Sequence, residues 1–222
     1  MTATSPINPS DRGTRSLPLS VLIVLAIIAM ACVAAGPWFL GQGTMRLVSE
    51  ILLVLAMAQM WNLLAGYAGL VSFGHQAFVG GGAYAVFAVS NNLGLNPYVS
   101  LLAAPIAAAA MAAVLAPLLF RLRDAYFAIG IWVVAEVLAI LCSKMPGLGG
   151  QLGMTLKSIR NLDFNTFSVA IFWISGAVAI GSLVTVCVVL RSDLGLALSA
   201  VRNNERAAQS LGIDVWKIRF VT

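Results

Sequence analysis

Six apolar stretches, each near the length of a bilayer crossing, constrain this chain more than any other feature. They cover roughly residues 17–40, 45–66, 70–90, 97–120, 125–143 and 166–190. About 20 apolar residues in helical form cross the hydrocarbon core of a membrane. Backbone polar groups inside lipid must be satisfied within the segment, and helices do this. The expected fold is therefore all-α: a polytopic transmembrane helical bundle of about six spans. Composition agrees, with 60% hydrophobic and 9% charged residues, against roughly 25% charged in soluble domains. The first stretch follows Arg12 and Arg15. It is longer than the 7–15 apolar residues, roughly, of a signal peptide, so it reads as a retained span. Residues 1–16, with Pro6, Pro9 and Gly13, read as a disordered tail ahead of a membrane domain over 17–222.

The basic residues orient the bundle. With the N-terminus inside, the inner segments hold Arg12, Arg15, Arg121, Arg123, Arg191, Arg202, Arg206, Lys217 and Arg219, and the outer ones Arg46, Lys144, Lys157 and Arg160. Nine against four obeys the positive-inside rule, and the reverse orientation inverts it. The net charge of +5 is thus explained by the membrane. The aromatic–basic interleaving of a nucleic-acid surface is absent, so no nucleic acid is expected. Cys32, Cys142 and Cys187 lie in apolar runs without a CxxC pair. They read as small buried hydrophobes, with no zinc or redox role. No GxSxG, HExxH or Walker-type phosphate loop occurs, so the chain is not expected to be an enzyme, to hold a cofactor or metal, or to bind ATP itself.

Glycine breaks the pattern in one place. Asn62 to Ala85 reads NLLAGYAGLVSFGHQAFVGGGAYA, with Gly66, Gly69, Gly74, Gly80, Gly81 and Gly82 inside 17 residues. Each glycine costs a helix interior about 1 kcal/mol, so this density suits a broken helix or a very close helix crossing. Ala77, Gly81 and Ala85 recur every fourth residue and form a small packing face. Around the other glycines stand Tyr67, Ser72, His75, Gln76 and Phe78, which with Asn62 and Glu136 make the candidate substrate pathway, centred on 67–78, since unwound helices line transporter cavities. A tight inner turn between two spans is the plain alternative. Glu136 lies mid-way along the fifth span, where an ionised group costs roughly 2.5 kcal/mol or more. Arg123 is 13 residues away, about 20 Å along a helix, so any partner of Glu136 comes from another span or from water. Glu50 follows Arg46 by one turn and should pair with it at the membrane surface. Ala104, Ala108, Ala112 and Ala116 form a packing face on the fourth span, which Pro105 and Pro117 should bend. Gly147 to Gly153 reads as a glycine turn in the outer loop.

The polar stretch Arg191–Arg219 is the last feature. Asn203 or Asn204 can cap a helix of about Glu205–Leu211, Glu205 suits its N-terminal dipole, and Gly212 can terminate it. Ala207, Ala208 and Leu211 are expected on one shallow face.

This arrangement resembles the coupling loop of ABC-importer permeases, whose pattern Glu-x-Ala-Ala with a later glycine is met by Glu205, Ala207, Ala208 and Gly212. The glycine-rich segment NLLAGYAGLVSFGHQAFVGGGAY is similar to that of the branched-chain amino acid permease family. GLGGQLGM resembles the family's outer-loop motif, and Leu194–Ala208 its inner loop. The resemblance covers roughly 45–219. It implies a permease subunit in a bacterial cytoplasmic (inner) membrane, paired with a second permease, two cytoplasmic ATPases and an external substrate-binding protein. Asn204, Glu205, Ala207, Ala208 and Gly212 would dock an ATPase. Family members continue beyond this loop, so the chain reads as C-terminally truncated. A urea or amide permease, a secondary transporter using Glu136 and His75, and a non-transporting membrane scaffold are the alternatives.

Overall fold

A computed structural model describes residues 19–122, 124–145, 149, 153–156, 163–212, 214, 215 and 218. Nine helices lie among them. They are α1 (Leu19–Phe39), α2 (Gln42–Asn62), α3 (His75–Leu93), α4 (Pro97–Ser100), α5 (Ala103–Leu119), α6 (Asp124–Lys144), α7 (Phe164–Arg191), α8 (Asp193–Asn203) and α9 (Glu205–Ser210). A single π-turn, Leu63–Tyr67, extends α2. The expected tail, most of the glycine turn at 147–153, and Arg12, Arg15, Arg123, Lys157, Arg160, Lys217 and Arg219 lie outside the described residues.

The all-helical expectation holds. Four segments among the described residues are long and apolar enough to cross a membrane: Gln42–Tyr67, Pro97–Leu119, Ala125–Lys144 and Phe164–Arg191. Ile23–Phe39 is a shorter apolar helix. The helix α3 is not among the four, because His75 and Gln76 at one end and Asn91 and Asn92 at the other dilute its apolar centre.

Two groups of helices make the body. In the first, α7 packs along α2 and against α1. One stripe of α7 is buried: Phe172, Ser175, Gly176, Ala179, Ser182 and Val186, at the three- and four-residue steps of a helix face. A Cβ at Gly176 would stand 2.3 Å from Val33 of α1, and one at Gly36 would stand 2.5 Å from the ring of Phe172. The two glycines thus set the closeness of the α1–α7 crossing, as small residues do where no hydrophobic effect drives helices together. Ser175 and Ser182 return their hydroxyls to the carbonyls of Phe172 and Ala179, at 2.9 and 2.7 Å, so neither buries an unsatisfied donor. Asp163 caps α7, accepting from the Thr166 N–H at 3.1 Å and its hydroxyl at 2.9 Å. Those bonds favour the ionised carboxyl and hold it below the ordinary carboxylate range.

In the second group α3 packs against α5 and α6. The expected fourth span is divided at Leu101–Leu102, between α4 and α5. Pro105 has no N–H for the Leu101 carbonyl, and the Ala104 N–H takes that acceptor at 3.2 Å instead. Of the alanine face on this span, Ala104 meets Gly82 of α3, while Ala112 is exposed. Arg46 and Glu50 pair at 3.3 Å on the surface. Cys32 faces outward and Cys142 and Cys187 are only half-buried, so the expectation of three buried cysteines fails. Cys142 lines a hollow between α3, α5 and α6.

Candidate functional site

The glycine-rich segment forms a broken joint between α2 and α3. After Asn62 the chain widens into the π-turn, in which the Ala68 N–H reaches the Leu63 carbonyl at 3.2 Å. The Leu70 N–H then bypasses Gly66 and bonds the Leu64 carbonyl at 3.0 Å. Gly69 takes φ +72°, a left-handed conformation that glycine adopts without a Cβ clash. Residues 69–74 run without helix until α3 starts at His75. The joint connects α2 to α3 through non-helical residues 68–74.

Three contacts hold it. The Trp61 indole N–H donates to the Ser72 carbonyl at 3.0 Å. Leu70 is buried in a core with Leu119, Phe127 and Ile131, against which Phe78 also packs. A Cβ at Gly74 would lie 2.7 Å from the Ile131 carbonyl, so the joint touches the backbone of α6 where only glycine fits.

Two hollows open beside the joint. One, of about 260 Å³, lies between α3, α5 and α6 and is lined by Gln76, Gly80, Tyr84, Met111 and Glu136, among others. A Cβ at Gly80 would meet nothing within 4 Å, whereas one at Gly81 would strike the Met111 sulfur at 2.4 Å. Gly81 therefore serves the expected α3–α5 packing, and Gly80 keeps the hollow open. Glu136 is exposed on α6 and has no hydrogen bond or ion pair among the described residues. The second hollow, about 440 Å³, runs between α2 and the joint and is lined by the apolar Val54, Met57 and Ala58 of α2 and by Trp61, Ser72, Phe73, His75 and Gln76. Gln76 borders both.

Of the expected pathway, Ser72, His75 and Gln76 line one hollow and Gln76 and Glu136 the other, while three others stand apart. Phe78 belongs to the core behind the joint. The Asn62 side chain lies over Gly66, its Oδ1 2.5 Å from where a Cβ would be. Tyr67 closes the π-turn and lines neither hollow. Tyr84 and Gly80 escaped the sequence reading, although Gln76, Gly80 and Tyr84 recur at four-residue spacing on one side of α3.

The polar stretch folds as two helices rather than one. The unexpected helix is α8, which leaves α7 through a corner at Ser192 and buries Gly195, Leu198 and Val201. At Asn204 the backbone extends to φ −158° and ψ 100°, and the Asn204 side chain accepts from the Ala207 N–H at 3.1 Å. That is the expected cap of α9. Gly212 follows the helix at φ +83°, the expected terminator. The side chain of Glu205 lies outside the described part of the structure. The expected common face of Ala207, Ala208 and Leu211 is corrected: Ala208 is 2% exposed and packs with Val201 and Val215, while Ala207 and Leu211 face outward. The reason is α8, against which α9 turns Ala208. Finally, the Arg202 guanidinium at the end of α8 donates to the Gly66 carbonyl in the joint.

An all-helical chain with several membrane-length helices is built as a multi-pass membrane protein. Residues 43–222 match the family described as branched-chain amino acid transport system / permease component, and the chain belongs to this family. It is 25% identical over a 240-residue alignment to the high-affinity branched-chain amino acid transport system permease protein LivM of Escherichia coli (strain K12), covering 96% of this chain and 56% of that protein. The protein of the same name from Salmonella typhimurium is 24% identical over the same shares. A probable branched-chain amino acid transport permease protein LivM of Methanocaldococcus jannaschii is 25% identical over 154 residues, 65% of this chain and 45% of the relative. The chain thus spans about half the length of the curated relatives it matches. No solved structure matches it significantly.

Proposed function

We propose that this chain is a membrane-spanning permease subunit of an ATP-driven importer for branched-chain or related amino acids in a bacterial cytoplasmic membrane. Its partners in this reading are a second permease subunit, two cytoplasmic ATPases and an external binding protein. The joint at 63–74, beside two largely apolar hollows that a few polar side chains enter, is the observation that carries the reading. In the proposed orientation the joint lies toward the cytoplasmic side, and non-helical backbone that lines a cavity is a feature of substrate sites in transporters.

In this reading six spans run from a cytoplasmic N-terminus, and α8 and α9 lie in the cytoplasm, as the basic residues require. The exposed Ala207 and Leu211 contact an ATPase. Asn204 and Gly212 fix the ends of the contact helix, and Ala208 fixes its seat on α8. ATP-driven closure of the ATPases displaces α8 and α9 and exposes the hollows to one side of the membrane and then the other. Gln76, Tyr84 and Glu136 meet the polar end of the passing substrate. A carboxylate facing this passage suits a substrate with an ammonium group better than it suits neutral urea.

Reconstitution in proteoliposomes with the partner subunits tests the reading. Uptake of labelled leucine is expected only with ATP and the binding protein present. Uptake driven by an ion gradient without ATPases would instead establish a secondary transporter, and no flux with every partner present would establish a scaffold.

A further inference from the structure

We infer that Arg202 is a positioning residue that transmits movement of the α8–α9 unit to the broken joint, an inference that rests on the proposed ATP-driven import. Its basis is a pair of contacts across 136 residues of sequence. The Arg202 guanidinium donates to the Gly66 carbonyl. A Cβ at Gly69 would also come within 3.2 Å of Arg202 Cγ and 3.8 Å of its Cα, so the stem of the side chain lies flat against the left-handed turn.

The acceptor is available because of how the joint is built. In a continuous helix the Gly66 carbonyl would receive the Leu70 N–H. Here that N–H goes to Leu64, and a charged donor from α8 takes the vacated position. A bond with a charged partner is stronger than a neutral one.

The donor is fixed at its other end as well. Arg202 is in the last turn of α8, where a cation is favoured. Two residues later Asn204 caps α9, and Val201, Ala208 and Val215 pack the two helices together. Displacement of α9 therefore carries α8, and Arg202, with it. At the far side of the joint, Gln76 opens onto both hollows within the first turn of α3. Packed and hydrogen-bonded groups thus link α9 to α8, α8 to the joint, and the joint to the first turn of α3, and this is the route along which the coupling is inferred.

The test compares Arg202→Ala and Arg202→Lys with the wild type in the complete complex, measuring ATP hydrolysis and substrate uptake on the same proteoliposomes. For Arg202→Ala, retained ATPase subunits, near-normal hydrolysis and uptake per ATP lowered about tenfold are expected. Lysine keeps the charge and a donor, so Arg202→Lys should fall between the two. Unchanged uptake per ATP in Arg202→Ala would overturn the inference. So would a parallel loss of hydrolysis and uptake, since Arg202 would then act in ATPase docking. A wild-type complex that transports without ATP would instead refute the importer reading beneath it. Hydrogen exchange at the Leu70 amide of the solubilised chain needs no partner: exchange about tenfold faster in Arg202→Ala supports the contact, and unchanged protection counts against it.

Discussion

Replacing Gly80 with leucine should stop substrate uptake while leaving the helices packed and the complex assembled. Gly80 is the one member of the triple glycine whose Cβ would meet nothing within 4 Å. A side chain there enters the hollow of about 260 Å³ that Gln76, Tyr84 and Glu136 also line, and its Cβ meets no neighbour. Helix propensity even favours leucine over glycine by up to about 1 kcal/mol. A fall in uptake of about tenfold or more corresponds to a barrier raised by ~1.4 kcal/mol, which a partly filled passage readily imposes. Gly181 on the exposed side of α7 is the control, because its Cβ would also meet nothing within 4 Å. Gly181→Leu should leave uptake unchanged. Equal uptake by Gly80→Leu and wild type would show that substrate takes another route.

Replacing Ala207 with glutamate should release the ATPase subunits. Ala207 is exposed and Leu211 is 82% exposed on the same short segment. In the proposed assembly these two side chains are the apolar part of the contact. A carboxylate placed at the centre of such a contact acts as the loss of an interface hot spot does, about 2 kcal/mol or more, or roughly thirtyfold in affinity. Co-purification of the ATPases with a tagged permease measures it. Ala208 is the less informative position. Its side chain is buried against Val201 and Val215, so a charge there disrupts the seat of α9 before any partner is involved. Wild-type recovery of the ATPases with Ala207→Glu would place the docking surface elsewhere.

Local rules reached a good deal of this site. The density of glycine between Asn62 and Ala85 pointed to a break in helix, because glycine's cost in propensity disfavours a continuous helix there, and residues 68–74 are non-helical. Asn204 and Gly212 were readable as helix ends, since capping depends on neighbours only a few residues away. The Arg46–Glu50 pair followed from one helical turn. What escaped depends on contacts distant in sequence. Arg202 registered only as a positive charge, and its acceptor at Gly66 becomes available only once the joint is folded. Ala208 looked like part of an outward face until α8 gave it something to rest on. Phe78 sits among pathway residues in sequence, yet the turn of α3 directs it into the core with Leu70 and Phe127. Helical period alone could not distinguish the hollow side of α3 from its packed side.

The central claim is that the hollows at the joint change their access when ATP is bound. It can be tested at Gln76, which borders both. A complex with Cys32, Cys142 and Cys187 replaced by serine and Gln76 replaced by cysteine would be labelled from one side with a membrane-impermeant thiol reagent. Labelling rates in the ATP-trapped and nucleotide-free states are the measurement. The account predicts that they differ by about tenfold or more, a bias of ~1.4 kcal/mol in the access equilibrium. Equal rates in the two states would contradict it.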